Sequence, residues 1–298
     1  MNPAPPARSP LRPVVRVVRA PRVTEGGGFV VRRPVPANGL ETLDPILMID
    51  EMGPVTYGPG EAVGAPDHPH RGFETVTYVL EGEVEHADSA GHAGTLGPGD
   101  VQWMTAGAGV VHREMPSRRI QAEGGRMHGF QVWVNLPAAL KSARPRYQEL
   151  RADRLARVTL ADGMARGRII AGEAEGAEAP VRTHVPVTLQ HWTLDAEASI
   201  VLSVPRHHTL GLYVFRGEAQ VGDRRIGDGE LGVLGEGEAV ALVATVDADV
   251  LLVGGKPIGE PVAWAGPFVM NHRDEVLAAY DDYIEGRMGQ IPPEIIRA

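Results

Sequence analysis

The feature that most restricts the fold of this chain is an internal repeat of short strands and glycine turns. The matching segments are TYVLEGEVEH (77–86) with LYVFRGEAQV (212–221), and GPGDVQWMTAG (97–107) with GDGELGVLGEG (227–237). Aligning Gly82 with Gly217 gives an offset of 135 residues. Aligning Gly99 with Gly229 gives an offset of 130 residues. Apolar runs between tight turns are typical of short antiparallel strands. The repeat therefore predicts an all-β protein that contains two copies of one barrel.

Length, charge and cysteine content restrict the function. A chain of 298 residues is long enough for two barrels, and its 37 glycines and 25 prolines fit many tight turns. It has no cysteine, so any metal ion must be held by nitrogen and oxygen. The net charge of −9 argues against direct nucleic-acid binding. No apolar run approaches the roughly 18 residues of a membrane-spanning helix. We therefore expect a cytoplasmic protein that does not contact membranes.

Two short motifs in the first copy of the repeat form a candidate metal site. His68 and His70 are spaced i, i+2, and so are His112 and Glu114. Residues i and i+2 of a strand share a face, so strand pairing can bring both motifs to one metal ion. Three imidazoles and one carboxylate suit Fe, Mn, Co, Ni, Cu or Zn. Four protein ligands on an octahedral metal leave two positions for a substrate or dioxygen.

The second copy of the repeat lacks these ligands. At the same offsets, the four ligand positions of the first copy fall on Ser203, Pro205, Leu242 and Ala244. We therefore expect one divalent transition metal per chain.

Two residues near the motifs leave the composition of the site open. Glu74 lies four residues after His70 and could supply the carboxylate instead of Glu114. We favour Glu114 because it shares a face with His112, and Glu74 would then support the ligands or replace one of them. His128 either lines the pocket or is a core histidine. The remaining histidines are predicted on turns and exposed faces: His86, His92, His184, His191, His207, His208 and His272.

A pair of carboxylates follows the apolar run at residues 46–49. We interpret Asp50 and Glu51 as the solvated end of a short strand, with a supporting role near the site as the alternative.

The order of the strand patterns predicts the domain boundaries. Residues 1–136 are predicted to form the N-terminal barrel, in which 1–25 are a partly disordered tail that leads into a first strand. Residues 137–180 are predicted to connect it to a C-terminal barrel at 181–298.

One helix is predicted near the C-terminus, at about 272–285. Asn271 is the expected N-cap and Gly286 the expected stop signal. Its apolar face, which should pack on a barrel, comprises Val276, Leu277, Tyr280, Tyr283 and Ile284.

Four long motifs resemble the pirin family of the cupin superfamily. They are HPHRGFETVTYVLEGEVEHADSAG (68–91), LGPGDVQWMTAGAGVVHRE (96–114), HGFQVWVNLP (128–137) and GPFVMNHRDEV (266–276). The resemblance covers about residues 30–285 and implies two cupin jelly-roll barrels, a bicupin, with one metal in the N-terminal barrel. It places the metal ligands at His68, His70, His112 and Glu114. Cupins in general use a glutamate at the position of Glu74.

The resemblance also implies an activity. Some pirins resemble quercetin 2,3-dioxygenase, which opens a flavonol ring with dioxygen and releases CO, usually on iron. We therefore expect Fe(II), a flavonol or related enol substrate, and a monomeric enzyme in which Glu114 accepts the substrate proton. The alternative is a non-enzymatic, redox-dependent regulator that binds a transcription factor or a metabolic enzyme. A cavity wide enough for three rings would favour the enzyme, and a closed site would favour the regulator.

Overall fold

The computed structural model describes residues 9–297, which are mainly β-strand, as predicted. The strands are β1 (Val14–Arg19), β2 (Arg22–Glu25), β3 (Phe29–Val35), β4 (Ile46–Tyr57), β5 (Ala65–His70), β6 (Phe73–Glu81), β7 (Val84–Asp88), β8 (Ala93–Leu96), β9 (Val101–Thr105), β10 (Val110–Pro116), β11 (Gly125–Asn135), β12 (Arg146–Leu150), β13 (Ala156–Leu160), β14 (Ala165–Ala171), β15 (Glu173–Ala174), β16 (Ala177–Glu178), β17 (Val187–Leu194), β18 (Ser199–Ser203), β19 (Thr209–Arg216), β20 (Glu218–Val221), β21 (Arg224–Gly227), β22 (Glu230–Leu234), β23 (Ala239–Ala244), β24 (Ala248–Gly255), β25 (Ala263–Ala265) and β26 (Phe268–Met270). The helices are α1 (Arg118–Glu123), α2 (Arg273–Ile284) and α3 (Pro293–Arg297). Within residues 9–297, none of these helices has the length and apolar character needed to cross a bilayer.

The chain divides into two units. The first unit comprises residues 20–155, 180–185 and 258–297 and contains both histidine motifs. Its seven-stranded sheet has the order β12-β9-β6-β11-β4-β3-β2, and its four-stranded sheet has the order β5-β10-β7-β8. The central strands β6 and β11 are rich in β-branched and aromatic residues and are mostly buried. They form the floor on which the candidate site is built.

The second unit comprises residues 9–19, 156–179 and 186–257. Its sheets have the orders β1-β22-β19-β24-β17-β14-β13 and β18-β23-β20-β21. Each strand occupies the place of its counterpart in the first unit, with β19 matching β6, β22 matching β9 and β24 matching β11. The two predicted copies of one barrel are therefore present.

The glycines that define the repeat are required by backbone geometry. Gly82 and Gly217 have φ of 85° and 76°, and Gly99 and Gly229 have φ of 87° and 76°. These are left-handed conformations that glycine adopts without the steric penalty of a side chain. The same turns recur in both units, and so do the glycines.

The two units do not follow the predicted boundaries at 136 and 180. Strand β1 pairs with β22, whereas β12 pairs with β9. Residues 258–297 belong to the first unit, although we expected them in the C-terminal barrel. The difference arises because the periodicity of a segment indicates that it forms a strand, whereas its pairing partner depends on distant parts of the chain.

The N-terminal segment also differs from its prediction. Strands β1 and β2 occupy residues 14–25, so the predicted partly disordered tail is wrong for this part of the chain. Residues 1–8 of the predicted tail lie outside the described residues.

The predicted C-terminal helix is present as α2, and it packs on strands of the first unit. Val276 and Ala279 are buried against a cluster that includes Phe268 and Met270. Leu277, by contrast, is 56% exposed, so the predicted apolar face is only partly correct.

The ends of α2 refine the predicted caps. The N-cap is His272 instead of Asn271, and the Glu275 carboxylate accepts hydrogen bonds from both backbone amides. Gly286, with φ of 74°, follows the C-cap as predicted.

Candidate metal centre

The two histidine motifs lie on neighbouring strands of the four-stranded sheet. Strand β5 carries His68 and His70, and strand β10 carries His112 and Glu114. In the antiparallel register His112 lies directly opposite His68. Strand β5 is an edge strand, a position that suits Pro69, since proline cannot donate a ladder hydrogen bond. Strand pairing therefore brings the two motifs together as expected.

The three histidines form a compact cluster. The ring centroids are 4.7 Å apart for His68 and His70, 4.3 Å for His68 and His112, and 5.0 Å for His70 and His112. One ring nitrogen from each lies within 4.8 Å of the others. Metal–nitrogen bonds of about 2.1 Å place nitrogens on a shared metal roughly 3 to 4 Å apart. Small side-chain rotations are sufficient to reach that spacing.

Hydrogen bonds orient two of these rings. His68 Nδ1 is 2.7 Å from the Pro66 carbonyl oxygen, and His70 Nδ1 is 3.4 Å from the Pro267 carbonyl oxygen. A carbonyl only accepts, so Nδ1 donates in each ring and Nε2 is the nitrogen left for a metal ion. An outer hydrogen bond of this kind is usual for a metal-ligating histidine.

The surroundings of His112 also fit a metal ion. Both of its ring nitrogens are buried, and neither has a hydrogen-bond partner among residues 9–297. A buried polar atom without a partner costs about 1–3 kcal/mol. A metal ion bound to one of the two His112 nitrogens would remove that cost for the nitrogen it binds.

Burial favours the neutral form of two of the three clustered imidazoles. Desolvation, with the nearby His68, lowers the pKa of His70 well below 6.5. Desolvation, with His68 and His70, has the same effect on the pKa of His112. The neutral imidazole is the form that binds a metal, so the site is prepared for a cation.

Glu114 lies beside the cluster and is held by two polar side chains. Its Oε2 is 3.9 Å from His112 Nε2. The set of potential ligand atoms that all lie within 4.8 Å of one another comes from the three histidines and does not include Glu114. The Thr77 hydroxyl lies 2.6 Å from Glu114 Oε1, and the Gln131 amide donates to Oε2 at 3.1 Å. These contacts orient the carboxylate from the floor of the barrel.

Glu74, the alternative carboxylate, is in a different environment. It lies on β6, and one of its oxygens accepts a hydrogen bond from the Thr105 hydroxyl at 2.7 Å. Burial raises the pKa of Glu74 above its ordinary value. Glu74 belongs neither to the histidine cluster nor to the lining of the cavity described next.

A cavity of about 560 Å³ opens onto the cluster. His68, His70 and Glu114 line it at the histidine cluster. Its apolar walls include Met48, Met52, Val79, Trp133 and Trp264. A volume of this size is within the range of about 300–1,000 Å³ that is usual for small-molecule sites. Trp264 belongs to the C-terminal segment, which we expected in the other barrel, away from the site.

The remaining histidines differ in part from their predictions. His128 lines the cavity, and its Nε2 lies 2.9 Å from a carboxylate oxygen of buried Glu51. It is therefore both a pocket-lining residue and a core histidine with a hydrogen-bond partner. His86 and His191 are each only 4% exposed, so their predicted positions on exposed faces are wrong. His92, His207 and His272 are exposed as predicted.

Asp50 and Glu51 also differ from our interpretation. Strand β4 continues to Tyr57, and the two carboxylates are 4% and 0% exposed. Arg33 binds Asp50 through two hydrogen bonds, and Arg32 binds Glu51 in the same way. The sequence signal for this burial was the presence of two adjacent arginines and two adjacent carboxylates on neighbouring strands, because such strands can pair opposite charges in register.

Comparison with known proteins agrees with this geometry. The family model described as Pirin matches residues 28–134, and the model described as Pirin C-terminal cupin domain matches residues 189–289. The chain belongs to the pirin family. The resemblance noted in the sequence and the bicupin fold that it implied are therefore confirmed.

Relatives within the pirin family share nearly the whole chain. A pirin-like protein of Caulobacter vibrioides is 40% identical over 93% of this chain and 99% of its own length. Human pirin is 39% identical over 89% of this chain and 90% of its own length. A crystal structure of quercetin 2,3-dioxygenase from Acinetobacter baumannii is 35% identical, with a TM-score of 0.89, covering 95% of this chain and 100% of that one.

Proposed function

We propose that this member of the pirin family is a metal-dependent dioxygenase that opens the ring of a flavonol and releases CO. The observation that carries the proposal is the cavity of about 560 Å³ that reaches the three-histidine cluster. A closed site would have no room for a substrate of three rings. The similarity to the quercetin 2,3-dioxygenase of Acinetobacter baumannii supports the same reaction class.

In this proposal the metal is held by His68, His70, His112 and Glu114, with Fe(II) as the favoured ion. The three imidazoles fit a divalent transition metal, and Glu114 would complete the set by a small movement towards His112. The bound ion would supply Lewis-acid and redox chemistry for the reaction with dioxygen.

Glu114 is proposed as the group that accepts the proton of the substrate 3-hydroxyl. Its carboxylate faces the cavity next to the cluster, where the enol end of a flavonol would lie. Thr77 and Gln131 fix its orientation through the contacts at 2.6 and 3.1 Å. A positioned base of this kind typically contributes about 10²- to 10⁴-fold to a rate.

The apolar walls are proposed to hold the aromatic rings and to exclude water. Met48 and Met52 lie on β4 and Val79 lies on β6. The ring centroids of Trp133 and Trp264 are 5.6 Å apart. Flat aromatic substrates gain both burial and ring contacts on such surfaces.

The alternative function is redox-dependent binding of a protein partner, as a non-enzymatic regulator. A regulator does not require an apolar cavity beside the metal, so the cavity favours the enzyme.

The test is metal analysis combined with oxygen uptake on protein loaded with Fe(II). We expect dioxygen consumption with quercetin, with CO and a ring-opened product. The variant His70→Ala should lose both metal and uptake, whereas exposed His207→Ala should keep both. Fully loaded protein that consumes no dioxygen with any flavonol would refute the dioxygenase proposal.

A further inference from the structure

The cavity carries a second carboxylate that the proposed chemistry does not use. Along β4 the side chains of Met48, Asp50 and Met52 face the cavity, as expected for alternate residues of a strand. Asp50 is thus an ionisable group on a wall that is otherwise apolar at the neighbouring positions. It is 4% exposed, so its surroundings are the protein and whatever occupies the cavity.

Asp50 is held in a fixed orientation by Arg33. The guanidinium donates from Nε to Oδ1 at 2.6 Å and from Nη2 to Oδ2 at 2.5 Å. Arg33 also pairs with Glu25 at 2.6 Å, and Glu25 lines the cavity too. A carboxylate offers about four acceptor positions. Arg33 takes two of them, so the carboxylate can still accept a hydrogen bond from a ligand.

The strand register gives the distance between Asp50 and the side of the cavity where the histidine cluster lies. Asp50 on β4 lies opposite Gln131 on β11, and Gln131 lies opposite Thr77 on β6. Gln131 and Thr77 are the side chains that hold Glu114. Neighbouring strands are about 4.8 Å apart, so two spacings separate Asp50 from Thr77 by roughly 10 Å. A ligand of two or three rings can span that distance.

We propose that Asp50 is a specificity-determining residue that accepts a hydrogen bond from a phenolic hydroxyl on the part of the substrate remote from the metal. The inference rests on the proposed function and deepens it, because it assigns the substrate to polyhydroxylated flavonols instead of flavonols that carry only the enol hydroxyl. Discrimination follows because a substrate without that hydroxyl leaves the buried carboxylate without the extra partner.

A purely structural role is already filled by the neighbouring pair. Arg32 and Glu51 join β3 to β4 with hydrogen bonds of 2.8 and 2.6 Å, and Glu51 does not line the cavity. Buried ion pairs contribute little net stability relative to apolar residues. A second pair that faces an apolar cavity therefore calls for a ligand-related explanation.

The experiment compares two ligands without dioxygen, so that binding is measured separately from turnover. Quercetin and 3-hydroxyflavone, which keeps only the enol hydroxyl, are titrated anaerobically into metal-loaded wild type, Asp50→Asn and Glu51→Gln. A lost hydrogen bond to a charged group is worth roughly 10-fold or more in affinity. We expect the wild type to prefer quercetin by about that factor, Asp50→Asn to lose the preference, and Glu51→Gln to keep it.

Three results would overturn the inference. One is an equal loss of affinity for both ligands in Asp50→Asn. Another is the same loss of preference in Glu51→Gln, which would indicate a general effect of strand packing. The third is measured on wild type alone, so it does not depend on the variants folding: flavonols that each lack a single hydroxyl all bind equally well. If binding shows the preference and no flavonol is cleaved, the dioxygenase proposal fails and the assignment of Asp50 stands.

Discussion

The buried lysine behind the candidate metal centre gives a quantitative prediction about stability. Lys141 is 2% exposed, and its Nζ donates to Gly72 O at 2.9 Å, Asn135 Oδ1 at 2.8 Å and Val269 O at 3.0 Å. These contacts fix the chain just after His70 and just after Pro267, whose carbonyl orients His70. Burial lowers the pKa of Lys141 to about 8, and the nearby Glu260 and Glu275 partly oppose the effect.

The sign and size of the effect follow from proton linkage. The ordinary pKa is 10.5 and the folded value is about 8, so the folded state binds fewer protons than the unfolded chain between these pH values. The free energy of unfolding therefore rises as pH increases from about 8 to 10.5. The difference in pKa corresponds to roughly 3 kcal/mol across that range. Below pH 8 the folded protein carries the full cost of the buried charge.

The assay is urea unfolding of wild type and Lys141→Met at several pH values from 7.5 to 10.5. Methionine has a similar length and no charge, so the unfolding free energy of Lys141→Met lacks this pH dependence. As pH rises through the range, the unfolding free energy of the wild type should increase by roughly 3 kcal/mol relative to that of Lys141→Met. The chain's other lysine, exposed Lys256, supplies the control, and Lys256→Met should follow the wild-type pH dependence. Parallel curves for wild type and Lys141→Met would show that the reasoning about the buried ammonium is wrong.

Three further variants test the candidate metal centre and the residues that support it. His112→Ala should remove the bound metal while the far-ultraviolet circular dichroism stays that of a β protein, and full metal content would exclude His112 as a ligand. Gln131→Ala should keep the metal and lower kcat/KM with quercetin about 10-fold, since one hydrogen bond to the Glu114 carboxylate is lost; unchanged oxygen uptake would contradict this role. Gly72→Ala places a Cβ 1.9 Å from a backbone oxygen at φ of 89°, whereas Gly91→Ala at φ of 93° meets no atom within 4 Å. We expect a cost of about 1–2 kcal/mol for Gly91→Ala from backbone strain alone and a larger cost for Gly72→Ala, and equal costs in thermal unfolding would contradict the clash.

Part of the candidate site was predictable because it depends on local patterns. The i, i+2 spacing of His68 and His70 places both rings on one face of a strand wherever that strand lies in the fold. The spacing of His112 and Glu114 carries the same information. Glycine turns at matching positions revealed the second barrel, because the left-handed turn conformation excludes most other residues.

Other parts of the site depended on pairings that local patterns do not encode. Asp50 was interpreted as a solvated strand end, but β4 continues and pairs with β3 and β11, which buries it on the cavity wall. Trp264 and Pro267 come from a segment nearly 200 residues distant in sequence from His70, and they supply a wall and a histidine partner.

By itself, the sequence determined the all-β class, the two barrels, the histidine motifs and the C-terminal helix, because strand and helix periodicity, turn geometry and ligand spacing are properties of neighbouring residues. Only the tertiary structure decided that β1 pairs with β22, that the C-terminal segment packs in the histidine-bearing unit, and that an apolar cavity with Asp50 on its wall opens onto the cluster. The physical reason is that the pairing of a strand depends on the total burial and hydrogen bonding of the folded chain. That total is not contained in any single segment.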